Sequence, residues 1–296
     1  MASTKIPDKG DPSDIQQVFP TYNLQLHCCR YWWLQNWEFK ELSFPYWRVY
    51  HNSDHGAVVM FKGEEFRLSP DRVILIAPNT AYATRLYDHK IPETGYSLKG
   101  GRYNNGGIST ESQILHLFIH FNIGMPYDNI VPGIYDFKLS PSLKEKLQII
   151  KRHLNYEHTR FSFNASLAIQ SLISELLTEV PEEKWNSKTK DVRILEVINY
   201  IENNISDELT NPVLAETAKM ATNSFTRLFT DEMEQSPQKY IKTKRIDKAC
   251  ILLHHSGLSI DEIALQTGFS DRYHFSRIFK QVTNYSPAKY RKEYGV

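Results

Sequence analysis

Within roughly the last hundred residues, one stretch is written twice. Phe225-Thr226-Arg227-Leu228-Phe229 recurs as Phe275-Ser276-Arg277-Ile278-Phe279, and Ser236-Pro237-Gln238-Lys239-Tyr240 recurs as Ser286-Pro287-Ala288-Lys289-Tyr290, both fifty residues on. Such self-similarity marks a duplicated structural unit. Upstream, Leu214-Ala215-Glu216-Thr217-Ala218 matches Ile263-Ala264-Leu265-Gln266-Thr267 at a spacing of forty-nine, so one residue is inserted between the two matching segments. An insertion that leaves its flanks intact lies in a turn, and each copy therefore reads as helix, short turn, helix. In the second copy the turn carries Gly268 and then Ser270-Asp271, an N-cap for the next helix.

The second helix of each copy is amphipathic. Phe225, Leu228 and Phe229 in one, and Phe275, Ile278, Phe279 and Val282 in the other, follow the i, i+3, i+4 pattern of a core face. At about 100° per residue, Asn223, Arg227 and Thr230 fall opposite Phe225, and Tyr273, Arg277 and Lys280 fall opposite Phe275, with Thr226 and Ser276 on the flanks. Arg272 joins this set at the start of the second helix. These side chains carry the donors and acceptors that major-groove readout needs. A solvated helix face accounts for either copy alone; the duplication favours a nucleic-acid reader. Asn223, Thr226, Arg227, Arg272, Tyr273, Ser276, Arg277 and Lys280 are the expected DNA contacts.

Between the copies, residues 237–255 predict one helix, opened by Ser236-Pro237 and stopped by Gly257. Such a rod is roughly 28 Å long at ~1.5 Å per residue. Two recognition helices so spaced suit adjacent major grooves on one face of B-DNA, about 34 Å apart.

The paired helix-turn-helix units, the Phe-Ser-Arg-x-Phe core and the closing Ser-Pro-x-x-Tyr resemble the AraC/XylS family of bacterial transcription regulators. The resemblance covers residues 191–296 and is most specific over Ile263 to Tyr290, with Gly268-Phe269-Ser270-Asp271 and Ser286-Pro287. In the first unit Lys219 stands where the family has Gly, and Ala221 where it has Ser. The family implies double-stranded DNA and RNA polymerase as partners and a small-molecule effector bound in an N-terminal domain.

The chain of 296 residues, 41% hydrophobic, is long enough for two cores. A net charge of +1 by itself argues for no partner, but Lys239 to the end holds eleven Lys/Arg against five Asp/Glu, local basic surface of the kind duplex binding uses. Asp231, Glu232 and Glu234 work against this in the first unit. Cys28, Cys29 and Cys250 make neither a disulfide framework nor a metal site. The first residues lack a signal-peptide core, and no stretch approaches ~18 uninterrupted apolar residues, so a cytoplasmic protein without a membrane partner is expected.

Residues 1–19 are polar; in the family such an arm can fold over bound ligand. From Tyr22 to Asn122, short apolar or alternating runs at Tyr46–His51, Ala57–Phe61, Arg72–Ala77, Ala81–Tyr87 and Gln113–Asn122 predict an antiparallel sandwich or barrel. Pro70-Asp71 and Ala77-Pro78-Asn79-Thr80 resemble turns of the cupin-like sensor domain of AraC-type regulators, with Asp71 and Asn79 replacing the usual glycines. Residues 95–112 read as a long exposed loop. On the strand Ile114–Asn122, Leu115, Leu117, Ile119 and Phe121 share a face expected to pack beneath helices, while His116, Phe118, His120 and Asn122 share the other. A mixed polar and aromatic face inside a small barrel suits a ligand cavity. By resemblance, His116 and Phe118 stand where the family's sugar-responsive founding member has its ligand-contacting His and Trp. Arg48 and Tyr50, or Trp47 in the opposite register, complete the expected site with Tyr82 and Thr84, and His120 lies on the same face. The expected effector is a sugar or sugar derivative.

Residues 141–179 read as two helices, Pro141–Tyr156 and Asn164–Glu179; the broad apolar face of the second exceeds what covering one sheet requires, and since such helices pair two subunits in the family it resembles, a homodimer through residues 141–180 is expected. Residues 181–190 are a polar linker, and Asp191 caps the next helix. The expected class is α+β: a cupin-like sensing and dimerisation domain over 1–180, a linker over 181–190, and a tandem helix-turn-helix DNA-binding domain over 191–296. The function so read is a regulator, an activator by expectation, rather than an enzyme, with no cofactor and no metal. A metal-dependent cupin enzyme is the first competitor. Against it, the His-x-His and following Glu of metal cupins are missing, and His116 and His120 lie roughly 13 Å apart at ~3.3 Å per residue, too far to share an ion. A DNA binder without an effector is the second.

Overall fold

The computed structural model describes residues 22–93, 95–102, 113–154, 160–185 and 191–294. Its order is a nearly closed antiparallel barrel followed by helices, the α+β class expected. The strands are β1 (Gln25–Leu42), β2 (Trp47–Asn52), β3 (Ala57–Phe61), β4 (Glu64–Arg67), β5 (Arg72–Ile76), β6 (Tyr82–Leu86), β7 (Tyr96–Arg102), β8 (Ile114–Asn122) and β9 (Ile134–Lys138). They neighbour one another in the order β4-β3-β6-β1-β8-β2-β5-β9, with β7 paired to β1.

β1 is the spine of this sheet, and the strand periodicity did not disclose it. Its 18 residues pair with β8, β7 and β6 in turn, with register shifts between Leu26 and Cys28, Leu34 and Asn36, and Phe39 and Leu42. Each shift exchanges the faces, which erases the alternation that identifies a strand. The loop expected over 95–112 is corrected in its described part: Tyr96–Arg102 is a strand held by β1. A Cβ at Gly100 would stand 2.3 Å from the Trp33 carbonyl, so the glycine marks a close backbone approach. Residues 1–19 and the rest of that loop, 103–112, lie outside the described residues.

β8 divides its residues as its alternation requires. Leu115, Leu117, Ile119 and Phe121 pack with Leu143, Leu147 and Ile150 of α1 (Pro141–His153) and Ile169, Leu172 and Leu176 of α2 (Phe163–Thr178). The opposite face turns into the barrel. Within residues 181–190, expected as a linker, Glu182–Lys184 is a 3-10 turn; residues 155–156 and 186–190 lie outside the described residues.

The helical half comprises α3 (Val192–Asn203), α4 (Asn211–Thr217), α5 (Thr222–Met233), α6 (Pro237–His255), α7 (Ile260–Gln266), α8 (Arg272–Thr283) and α9 (Pro287–Tyr294). The repeat extends to the backbone. Left-handed turn residues occur at Lys219 (φ 53°) and Gly268 (φ 74°), forty-nine apart, and left-handed helix caps at Glu234 and Asn284, fifty apart. Both turns close identically: Met220 N–H donates to Ala215 and Lys219 N–H to Glu216, as Phe269 N–H does to Ala264 and Gly268 N–H to Leu265. These are Schellman closures, in which the last helical carbonyls find donors across a left-handed residue.

The first unit keeps that geometry with unfavourable residues. Lys219 holds a positive φ without being glycine, and Ala221, the N-cap of α5, has no side-chain oxygen to receive an amide. Lys219→Gly and Ala221→Ser should each stabilise the fold by about 1 kcal/mol. Urea unfolding of the double variant checks this; an unchanged midpoint would contradict it.

α6 joins two cores. Tyr240 and Ile241 near its start pack with Phe225, Phe229 and the α3 residues Ile194, Val197, Ile198 and Ile201. Ile246, Ala249, Cys250 and Leu253 pack with Phe275, Phe279 and Tyr290, and this cluster runs on into the barrel interior through Phe44, Tyr46 and Tyr50. Barrel and second helical unit thus share one apolar cluster.

Candidate functional site

Two sets of side chains carry chemistry. The first is the outer face of α5 and α8. Phe225 and Phe229, and Phe275 and Phe279, are all fully buried, which fixes the rotation of each helix about its axis. The opposite faces are then solvent-exposed: Asn223 and Arg227 on α5, and Arg272, Tyr273, Arg277 and Lys280 on α8, with Thr226 and Ser276 partly buried at the margins. Tyr273 is 84% exposed, unusual for so large a ring. Asp271 caps α8 by accepting from the amides of Tyr273 and His274, both at 2.8 Å. Arg272 lies 3.5 Å from Asp261 of α7. Among the described residues neither Arg227 nor Arg277 has an ion pair or hydrogen bond, so both guanidinium forks present free donors. The Thr226 hydroxyl donates to the Thr222 carbonyl at 2.8 Å, which leaves it less available than Ser276.

The second set lines the barrel. Pairing of β2 with β8 sets Arg48 beside His120 and Tyr50 beside Phe118, which decides the register between Arg48 and Trp47. Trp47 points the other way, stacked on Phe121. Arg48 is 4% exposed and its guanidinium lies 3.5 Å above the Phe44 ring. It donates to Tyr50 at 2.6 Å, Tyr82 at 2.7 Å and Tyr46 at 2.9 Å. No carboxylate among the described residues lies within ion-pair distance of it, and its Nε has no hydrogen-bond partner there. Burial works against the charge, and the three phenol oxygens more than offset that. His116 is buried against Tyr50 and Trp37, with Nδ1 2.6 Å from Asn52 Oδ1. Burial first, then His51 and Arg48, bring its pKa down to about 3.

Of the effector residues expected from sequence, Arg48, Tyr50, Tyr82, His116, Phe118 and His120 therefore converge. Thr84 does not join them: it is buried, and its hydroxyl is committed to the Trp37 carbonyl at 2.7 Å. Sequence reasoning missed Tyr46, although it shares a face with Arg48 and Tyr50 at every second residue. It also missed three histidines. His27 places Nε2 2.7 Å from Asn122 Oδ1. His254 and His255, in the last turn of α6, reach the barrel mouth: His254 Nδ1 lies 2.6 Å from the Tyr46 hydroxyl and His255 Nε2 lies 3.3 Å from His120 Nδ1. Beside them a cleft of about 360 Å³ separates the barrel from α3 and α6, bordered by Asn122, Asp128, Glu202, Lys244 and Asp247. Burial raises the Asp247 pKa to about 6, against the pull of Lys244.

Comparison with known proteins agrees with this geometry. A helix-turn-helix domain profile matches residues 214–293. An uncharacterized HTH-type transcriptional regulator of Staphylococcus aureus is 29% identical over 154 residues, 50% of this chain and 21% of its own length. The HTH-type transcriptional activator RhaS of Escherichia coli O139:H28 is 31% identical over 126 residues, 43% of this chain and 44% of its own. The chain thus spans less than half the length of either relative. Among solved structures, unsaturated fatty acid bound ToxT from Vibrio cholerae superposes over 93% of this chain and 98% of its own, with a TM-score of 0.50 and 13% identity, a likeness of fold. No helix among the described residues is long and apolar enough to cross a membrane. With turns, caps and aromatic cores repeated in register, and with that profile over the repeat, residues 214–293 form a helix-turn-helix domain of the AraC type, carried behind an antiparallel barrel.

Proposed function

We propose that the chain is a sequence-specific, duplex-DNA-binding activator of transcription, controlled by a small effector. Residues 191–296 read DNA, 1–180 sense the effector and pair two subunits through 141–180, and 181–190 link the two. The observation that carries this is the repeated exposed face of α5 and α8, where two arginines, unpaired among the described residues, recur fifty residues apart on helices rotated alike by buried phenylalanines. Asn223, Arg227, Arg272, Tyr273, Arg277 and Lys280 supply contacts to bases and phosphates, with Thr226 and Ser276 at the rim.

In this reading a sugar-like effector enters the barrel against Arg48, Tyr50, Tyr82, His116, Phe118 and His120, with Phe118 under the ring and Arg48 and His116 bonding its hydroxyls. Arg48 also holds Tyr46, which touches His254 of α6. Displacing that chain shifts the balance between two arrangements of barrel and reader, and so the reach of the dimer toward its sites and RNA polymerase. Pairing through α1 and α2 is supported by Leu167, 45% exposed, and Phe163, 76% exposed. The same lumen, filled by its own hydrogen-bonded side chains, favours one second reading, a DNA binder without an effector.

A thermal-shift screen against mono- and disaccharides and sugar acids separates the two. An effector at a hundred times its dissociation constant stabilises the fold by about 2.7 kcal/mol. A shift lost in His116→Ala supports the sensor; silence across the panel favours the second reading.

A further inference from the structure

Neither DNA reading nor dimer formation uses the histidines where barrel and α6 meet, and of these only His120 also stands in the proposed effector set. His120 comes from β8, His254 and His255 from the last turn of α6, and one ligand nitrogen from each lies within 4.8 Å of the others. The three therefore converge from two halves of the chain that are 134 residues or more apart. The His254 and His255 rings stack at 4.3 Å with 5° between planes, and His27 stacks on His255 at 5.8 Å. His120 Nδ1 and His255 Nε2 are 3.3 Å apart. Two ligands on a tetrahedral zinc ion with Zn–N of about 2.0–2.1 Å stand about 3.3–3.4 Å from one another. That pair is already at the separation one ion requires, and a His254 ring nitrogen lies within 4.8 Å of both partners.

We propose that His120, His254 and His255 form a three-imidazole site for a zinc-like divalent cation, which clamps the barrel to the helix that carries both reading units. The fourth position is left for water, as in open three-histidine sites. A ligating imidazole needs its second nitrogen held by a neighbour, and the Tyr46 hydroxyl, 2.6 Å from His254 Nδ1, is such a neighbour. Burial keeps all three rings neutral at physiological pH, so their lone pairs are free for a metal. Arg48 is the charge that opposes the ion, and Arg30 adds to it at His255, while Asp128 beside His27 favours it. A site with that balance suits the cations that hold imidazole most strongly, the late first-row divalent ions.

The test uses the untagged full chain, stripped with chelator and titrated with Zn²⁺ against a chromogenic competitor, with Co²⁺ absorption reporting tetrahedral geometry. The expected result is one equivalent bound per chain, and affinity at least tenfold weaker in His254→Gln/His255→Gln and in His120→Gln, but unchanged in His153→Gln, whose ring lies on α1. Each variant is first checked for far-UV circular dichroism and cooperative unfolding in zinc-free buffer, and His120→Gln, from the barrel side, stands in if the double variant fails to fold. No uptake by the wild-type chain, or equal uptake by it and the seam variants, overturns the proposal. Zinc uptake is read without DNA or effector, so its failure leaves the regulator reading intact.

Discussion

Replacing Arg227 and Arg277 together by alanine should weaken binding to the preferred duplex by about 2–6 kcal/mol, a factor between roughly 30 and 10⁴. Each guanidinium that reads a base contributes about 1–3 kcal/mol, and contributions from separate units add. The fold should not change, because both side chains are exposed and neither has a partner among the described residues. Direct base reading shows as lost discrimination at one position per arginine. A phosphate contact shows instead as a uniform loss with the salt dependence reduced by about one ion per arginine. Competition binding with singly substituted duplexes at two salt concentrations makes the distinction, and unchanged affinity of the double variant would remove both helices from the interface.

The second large effect is the response to acid. His116 and His255 are held neutral in the fold, each with a pKa near 3, by burial first and then by neighbouring charges, His51 and Arg48 for His116 and His27, Arg48 and Arg30 for His255. The unfolded chain protonates them near pH 6.5. Their contribution is therefore complete above that pH, and it is lost as pH falls from about 6.5 toward 3, because only the unfolded chain binds the protons. Between pH 7 and 5 the two together cost about 4 kcal/mol, a large share of the ~5–15 kcal/mol that holds an ordinary domain. Asp247 acts the other way: its raised pKa of about 6 lets the fold hold a proton first, offsetting about 1.4 kcal/mol over the same interval. Asp128 and Glu202, both raised by burial, act in the same sense as Asp247. The clean reading is the stability difference between wild type and His116→Gln/His255→Gln. It should shrink by about 4 kcal/mol between pH 7 and 5; a difference independent of pH would show that the two rings titrate normally in the fold.

What could be read from sequence followed local periodicity. The helix over 237–255 was expected with the bounds it has, and the two faces of β8 divided as its alternation required. The repeat predicted not only the helices but a one-residue offset, which recurs in the spacing of Lys219 with Gly268 and of Glu234 with Asn284. Lys219 could not be settled in advance, since a lysine disfavours the left-handed turn that its neighbours nonetheless close. β1 escaped because its bulges exchange faces along the strand, and β7 because Ser97, Lys99, Gly100 and Gly101 become a strand only by pairing with β1. Arg48, Tyr50, Tyr82, His116, Phe118 and His120 converge in the barrel as the alternation implied, because each sits on an inward-facing strand position. His254 and His255 were not, because nothing in the periodicity of a helix tells which distant strand its last turn will meet.

That meeting links the barrel interior to the helical repeat. Arg48 holds Tyr46, Tyr46 touches His254, and α6 carries the cores of both helix-turn-helix units. The proposed effector site thus contacts α6, which packs against both helix-turn-helix units.

The most direct measurement is selection from a randomised duplex library by the purified full chain at moderate salt, with the bound fraction sequenced. The expected result is enrichment of two short blocks, one per recognition helix, with centres about 10–10.5 base pairs apart on one face of the duplex. Arg277→Ala should relax one block and leave the other. A bound fraction with the composition of the input, or a single block untouched by Arg227→Ala and Arg277→Ala, would contradict a tandem reader.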